Sequence, residues 1–214
     1  MRFLSTGRRH PAIKTMLLAV ALIVMGLFYA GTAPVNQSSA DSGSSTQVEE
    51  GRKLYQIGCS SCHGMQGEGT SQGPTVQGVG SASVDFQMAT GRMPAAQPGA
   101  QMPRKDVRYT NDEIAAIAAY IDSLGPGVTI PEAKQYSPDG LSEDEIARGG
   151  ELFRTNCSAC HNFTGKGGAL PNGKYAPGLG GVEDKAIWEA MRTGPQQMPV
   201  FSEEVMTDQD AREI

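Results

Sequence analysis

The sequence predicts a mainly α-helical fold in which two small tandem domains follow an N-terminal transmembrane helix. Three observations support this prediction: an uncharged apolar stretch at 16–33, two similar helical segments farther along, and a C-x-x-C-H motif at the end of each segment. The 214 residues are 39% hydrophobic and only 6% aromatic, with 27 glycines and 13 prolines. Because small domains of this composition have thin cores, we expect a bound group or a cross-link to complete them.

The N-terminal segment is predicted to be a signal anchor. The apolar stretch at 16–33 reaches the lower length limit of a membrane-spanning helix. Basic residues before it place residues 1–15 in the cytoplasm; they are Arg2, Arg8, Arg9, His10 and Lys14. A cleaved signal peptide is the alternative, because "SSA" at 38–40 fits a small-residue cleavage site. In both cases we expect the remaining chain on the extracytoplasmic side of the plasma membrane.

Beyond a flexible Ser/Gly-rich tether at 34–47, the chain repeats itself. Leu54 and Tyr55 of the first copy correspond to Leu152 and Phe153 of the second, at the same distance before the motif. Matching segments in the same order along the chain indicate an internal duplication. The duplication predicts a first domain at 48–125, a linker at 126–141 and a second domain at 142–214.

Capping boxes of the form S/T-x-x-E predict where helices begin. Thr46 and Ser142 each stand at the start of the helix that leads to a motif, and Thr110 starts the helix that ends the first copy. Residues 207–214 match the beginning of that last helix in the second copy. Because so short a helix is marginal, we expect the protein to continue beyond this sequence.

Every cysteine lies in one of two motifs, "CSSCH" at 59–63 and "CSACH" at 157–161. A redox disulfide would leave the histidine after each pair unexplained, and a four-thiolate zinc site would need an unusually long separation between the pairs. Covalent attachment of c-type haem uses every residue of the motif. The motifs therefore predict two covalently bound haem c groups in class I cytochrome c-like domains. The thioether residues are Cys59, Cys62, Cys157 and Cys160, and the proximal iron ligands are His63 and His161.

The sixth ligand of each iron is predicted by elimination. The remaining histidine, His10, lies on the cytoplasmic side of the predicted anchor, so methionine is the expected partner, and this ligand raises the haem potential. Met93 and Met198 are preferred because each precedes a proline and follows a Thr-Gly pair. The competing residues are Met88 and Met102 in the first domain and Met191 and Met206 in the second. Core packing is the better interpretation of Met88, Met191 and Met206.

Residues outside the motifs give further expectations. A backbone carbonyl at Pro74 and one at Pro177 are hypothetical hydrogen-bond acceptors for the proximal imidazoles, although prolines there also suit plain turns. Trp188 is expected in the core or at a haem edge. Lys166 and Lys174 are expected on a solvated face, with partner docking as the alternative.

Composition and ligand supply exclude several function classes. The net charge of −5 and the lack of a long basic run argue against nucleic-acid binding. A dihaem peroxidase would need an open iron site, whereas each iron here has a methionine candidate. A closed site with six ligands predicts transfer of single electrons. A stand-alone, membrane-tethered dihaem electron carrier would satisfy these observations.

Several segments resemble the dihaem cytochrome c subunit of the actinobacterial cytochrome bcc complex. The resemblance covers the chain from about residue 48 to 214, and the stretch around the second motif is the most specific part. The similar segments are "GRMPA" at 91–95, "PRKD" at 103–106, "RGGELFRTNCSACHNFTGKGGAL" at 148–170, "GKYAPGL" at 173–179 and "TGPQQMP" at 193–199.

The resemblance implies an electron-transfer subunit of a quinol:cytochrome c reductase, a membrane translocase that takes electrons from menaquinol. Its implied partners are a cytochrome b subunit, a Rieske iron–sulfur subunit and a cytochrome aa3-type oxidase in a supercomplex. The family pattern implies the same thioether cysteines and the same four axial ligands, His63, Met93, His161 and Met198. Family members carry a further membrane helix near the C-terminus, which this sequence does not include.

Overall fold

The computed structural model describes residues 11–32, 38–99 and 101–214. The chain divides into two compact units, Met1–Asp41 and Ser42–Ile214. The helices are α1 Pro11–Thr32, α2 Ser38–Gly58, α3 Ser60–His63, α4 Ser81–Ala89, α5 Asn111–Asp122, α6 Ala133–Tyr136, α7 Glu143–Asn156, α8 Ser158–His161, α9 Asp184–Thr193 and α10 Asp208–Glu213. An antiparallel pair of short strands, β1 Gly168–Ala169 and β2 Tyr175–Ala176, follows α8.

The first unit contains helix α1, which includes most of the predicted signal anchor. Among residues 11–32, 38–99 and 101–214, no helix combines the length and hydropathy that a membrane crossing requires. Residues 1–10 of the predicted cytoplasmic segment, the last residue of the predicted anchor at 33 and the start of the predicted tether at 34–37 lie outside the described residues.

Helix α2 begins earlier than the sequence predicted. It starts at Ser38, so residues 38–47 of the predicted tether are helical and Thr46 lies inside the helix rather than at its start. No proline interrupts the chain between Ser38 and Gly58. A helix that is already nucleated extends with one hydrogen bond gained per residue, even where serine and glycine lower the local propensity.

The first domain packs around one buried cluster on α2, α4 and α5. The members of the cluster are Tyr55, Met88, Ile114, Ile117, Tyr120 and Ile121. The predicted capping box at Thr110 is confirmed. The Thr110 side chain accepts a hydrogen bond from the Glu113 backbone amide, and the Thr110 backbone amide donates one to the Glu113 carboxylate. Helix α4 lies in the long segment between the first motif and α5.

The second domain repeats this arrangement with α7, α9 and α10. Its buried cluster consists of Trp188, Met191, Met206 and Ala211, so the expectation of a packed Trp188 is confirmed. Ser142 and Thr207 both form capping boxes at the starts of α7 and α10. The Arg148 guanidinium on α7 pairs with the Asp210 and Glu213 carboxylates on α10.

Matched glycines allow the terminal helices of each domain to cross closely. A Cβ atom on Gly51 in α2 would overlap the Ala116 carbonyl of α5, and one on Gly149 in α7 would overlap the Glu213 carbonyl of α10. The two glycines occupy the same place in the two copies, directly before the segments "RKLYQIGCSSCH" and "GELFRTNCSACH". Both helix crossings therefore depend on a residue without a side chain.

The two domains meet along α4 and α9. Across this contact the Lys185 ammonium on α9 lies 2.6 Å from an Asp85 carboxylate oxygen on α4. Glu189 is 1% exposed and lies beside this pair, with its Oε1 4.0 Å from the Lys185 nitrogen. Burial, followed by the neighbouring Asp85 charge, raises the pKa of Glu189 to about 9. A proton is therefore held between the domains at neutral pH.

Substitution of Gly149 by alanine should destabilise the second domain by about 1–3 kcal/mol, because the new methyl group forces α7 and α10 apart. Gly51→Ala should act in the same way on the first domain. Thermal unfolding of the haem-loaded chain, followed by circular dichroism, measures the effect. Gly180→Ala is the control, since a Cβ there meets nothing within 4 Å, and equal melting temperatures for all three variants would contradict the assignment.

The raised pKa of Glu189 should make stability fall as the pH rises toward 9. The folded chain keeps this proton to about pH 9, whereas the unfolded chain loses it near the ordinary value of 4.5. The folded state thus binds more protons in this window, and its stability decreases with increasing pH. The native chain should lose stability between pH 5 and pH 9, whereas Glu189→Gln should not lose this part. The unfolding free energy of the variant, measured relative to that of the native chain, should therefore rise by at least about 1 kcal/mol over this range.

Denaturant unfolding at several pH values measures this difference, and Glu203→Gln, at an exposed glutamate, is the control. If the two variants show the same pH profile, Glu189 is not a buried, protonated carboxyl group.

Candidate haem sites

Each motif histidine is held by a proline carbonyl in the following loop. His63 Nδ1 lies 2.8 Å from the Pro74 carbonyl oxygen, and His161 Nδ1 lies 2.9 Å from that of Pro177. Because a carbonyl oxygen can only accept, Nδ1 carries the proton and donates it. This arrangement leaves the Nε2 lone pair of each neutral imidazole free for a metal. The hypothesis drawn from the two prolines is confirmed.

Equivalent backbone bonds fold the loop after each motif. The Gly69 amide donates to the His63 carbonyl at 2.7 Å, and the Gly167 amide donates to the His161 carbonyl at 2.8 Å. Both glycines have positive φ, 86° and 83°, and a Cβ on either would collide with the loop backbone. Glycine at these two positions therefore lets the loop turn tightly beneath the histidine.

The four cysteines, all within the described residues, form no disulfide. Burial raises the pKa of the Cys59 thiol to about 11, and the neighbouring Cys62 adds to the effect. The pKa of Cys157 is raised for the same reasons, by burial and then by Cys160. A reactive redox thiol or a zinc thiolate requires the opposite shift. In the part of the chain that the structure describes, no cluster of His, Cys, Asp and Glu side chains suits a metal ion.

A cavity of about 700 Å³ brings the predicted residues of the second site together. Cys157, Cys160, His161 and Met198 all line it. Its other walls are mostly apolar and include Phe153, Leu170, Leu179, Ile187 and Phe201. This volume lies within the usual range for cofactor pockets of about 300–1,000 Å³. The donor set, the apolar walls and the free Nε2 of His161 fit a covalently attached haem.

The first site has the same motif geometry, and its predicted methionine lies on the core of the first domain. Met93 and Cys59 pack against the same buried cluster. Met93 also lines a cleft of about 160 Å³, and the lining of this cleft does not include Cys59, Cys62 or His63. The structure thus places Met93 and Cys59 on one core, and this cleft does not join them.

The competing methionines lie in the cores or beside the other domain's cavity, and Met191 also lines the cavity of the second domain. Met88, Met191 and Met206 are only 5%, 2% and 3% exposed and belong to the two core clusters, as the packing interpretation predicted. Met102 lines the cavity of the second domain rather than the first. Lys166 and Lys174 also line this cavity.

A buried arginine fixes the chain after Met198. Arg192 donates to the carbonyls of Phe201 at 2.8 Å and Met206 at 2.6 Å, and it pairs with Asp208 at 2.6 Å. Its guanidinium also stacks on Trp188, with 5.3 Å to the ring. The sequence reasoning missed this residue, although an arginine on the core side of an amphipathic helix is itself a signal of a buried partner.

Residues of the first domain form part of the wall of the second cavity, an arrangement that was not predicted from the sequence. Arg92, Gln101, Met102 and Arg104 are among those that line it. Burial lowers the pKa of Arg92, and the nearby charge of Arg104 lowers it further. Two like charges are therefore held close together at this wall.

Comparison with known proteins gives the family. Residues 48–125 match the family described as cytochrome c, and residues 144–214 match cytochrome C oxidase, cbb3-type, subunit III. The chain is 44% identical over 207 residues to the cytochrome bc1 complex cytochrome c subunit of Mycobacterium leprae, covering 93% of this chain and 70% of that protein. Its identity to the subunit of the same name from Corynebacterium diphtheriae is 39% over 219 residues, covering 96% and 78%.

The chain belongs to the family of cytochrome bc1 complex cytochrome c subunits. This membership agrees with the resemblance found from the sequence, and two cytochrome c-type domains imply covalently bound haem c. In this cytochrome c subunit, the paired histidine–proline bonds fix the histidines of both C-x-x-C-H motifs.

Substitution of Met198 by leucine should lower the midpoint potential of the second haem and remove its weak near-infrared methionine–iron band, because a thioether ligand favours the reduced iron. Met93→Leu should do the same to the first haem. Potentiometric titration with optical and near-infrared spectra checks both results. Met191→Leu, at a core residue of the same cavity, is the control and should keep the band, whereas an unchanged Met198→Leu spectrum would show that another residue is the ligand.

Proposed function

We propose that this chain is the dihaem cytochrome c subunit of a respiratory quinol:cytochrome c reductase. It relays single electrons from a Rieske iron–sulfur centre, through two covalently bound haem c groups, to a terminal oxidase. The observation that carries the proposal is the same histidine-to-proline-carbonyl bond after both C-x-x-C-H motifs. A redox disulfide would give no reason for this bond, and the raised pKa values of Cys59 and Cys157 argue against a zinc thiolate site.

The residues of each site perform separable tasks. The cysteines would attach the haem, and the histidine Nε2 together with Met93 or Met198 would hold its iron. Haem held by these residues would supply one-electron redox chemistry. The protein contributes a site with no open iron position and apolar walls that exclude water. Such a site favours electron transfer over bond-making chemistry.

The proposed partners follow from the family, and the proposed location follows from the N-terminal segment. The relatives are named as subunits of a cytochrome bc1 complex. We assign the cytochrome b subunit, the Rieske subunit and a cytochrome aa3-type oxidase supercomplex as partners. Helix α1 leaves Leu17, Leu22 and Ile23 about 60% exposed, which supports a role as a membrane anchor. The basic residues before it favour an extracytoplasmic location for the haem domains.

Mild-detergent purification of the tagged full-length chain tests the proposal. Two haems per chain should be found, together with a cytochrome b and an iron–sulfur protein. The double variant Cys157→Ala, Cys160→Ala should retain one haem, and so should Cys59→Ala, Cys62→Ala. A chain that purifies alone with two haems would support the stand-alone carrier instead. A haem count unaffected by either double variant would contradict covalent attachment at the motifs.

A further inference from the structure

The cavity of the second domain is closed by the first domain. The Gln101 side chain donates to the Tyr175 carbonyl at 2.7 Å and accepts from the Tyr175 amide at 3.1 Å. The Met102 amide donates to Gln196 Oε1 at 3.2 Å. These bonds hold the loop at 101–104 against the second domain, where the loop forms part of the cavity wall.

The charged side chains around this cavity all have the same sign. Arg92 and Arg104 come from the first domain, and Lys166 and Lys174 come from the second. Of the residues described, no aspartate or glutamate lines the cavity, and none of these four cations belongs to an ion pair. Arg92 and Lys174 are half-buried, whereas Arg104 and Lys166 are exposed. A half-buried cation without an acidic partner is stabilised by an anionic ligand.

Arg92 is held in place before any ligand binds. Its guanidinium lies 4.8 Å from the centre of the Phe86 ring, which also lines the cavity, and the residue is half-buried. A cation over an aromatic face loses little further freedom when it binds a carboxylate. The planar guanidinium can form two parallel hydrogen bonds to one carboxylate.

We propose that Arg92 and Arg104 of the first domain bind the propionate carboxylates of the haem attached to the second domain. The inference rests on the proposed function, because it requires a haem at Cys157 and Cys160. Haem carries two carboxylates on the edge away from the vinyl groups that form the thioethers, and the cavity supplies two guanidiniums on a wall contributed by the other domain. The second haem site is thus a two-domain site.

The test uses Arg104→Gln and Arg92→Gln in the full-length, haem-loaded chain. Mass spectrometry of the peptide containing the second motif first establishes the haem there. Removal of a cation beside the propionates disfavours the reduced iron, so the midpoint potential of the second haem should shift downward. The propionate bending band of the resonance Raman spectrum should shift as well. Lysine at either position, which keeps the charge, should restore part of the potential.

Lys105→Gln is the matched control, because it removes a charge next to Arg104. Lys105 itself lines the small cleft of the first domain. It should leave the second haem unchanged. The inference is overturned if the arginine variants shift only the first haem, or if the potential and the Raman band of the second haem both stay at their native values. A native chain without haem on the second motif would instead overturn the proposed function.

Discussion

The hydrogen bond from a histidine Nδ1 to a proline carbonyl is the interaction on which the rest of each site depends. It selects one tautomer and sets the ring plane, and it ties the C-x-x-C-H helix to a loop that begins several residues later. Without it, the imidazole could rotate about its side-chain bonds, and the loop would lose its contact with the ring. Glycine is required at 69 and 167 for the same reason, since only a residue without a Cβ lets the loop return beneath the ring.

The two domains share this core geometry but differ in the segment that carries the methionine. The hydroxyls of Thr90 and Thr193 both bond to a carbonyl one turn back, and a glycine with positive φ follows each threonine. After that point the first domain has a single arginine before Met93, whereas the second has Pro195, Gln196 and Gln197 before its methionine. The shorter segment places Arg92 at the domain boundary. The longer segment supplies Gln196, whose side-chain oxygen accepts a hydrogen bond from the Met102 amide of the 101–104 loop.

Local features were predictable from the sequence because local contacts determine them. The capping boxes at Thr110 and Ser142 and the loop prolines act within 16 residues of their partners, and the structure agrees with each of them. Thr46 was misjudged, since a capping pattern does not stop a helix that continues upstream. The first-domain wall of the second cavity, and the Asp85–Lys185–Glu189 group, depend on how two domains pack together. No periodicity or motif within either domain encodes that arrangement.

Arg92 and Met93 are consecutive residues that serve two different cavities. Arg92 lines the large cavity of the second domain, and Met93 lines the cleft of the first. Consecutive Cα atoms lie about 3.8 Å apart, so a single peptide link joins the walls of the two cavities. Under the proposed function, this link would be a short covalent connection between two haem sites. Electrons would then pass between the haems within one chain, without any encounter between separate molecules.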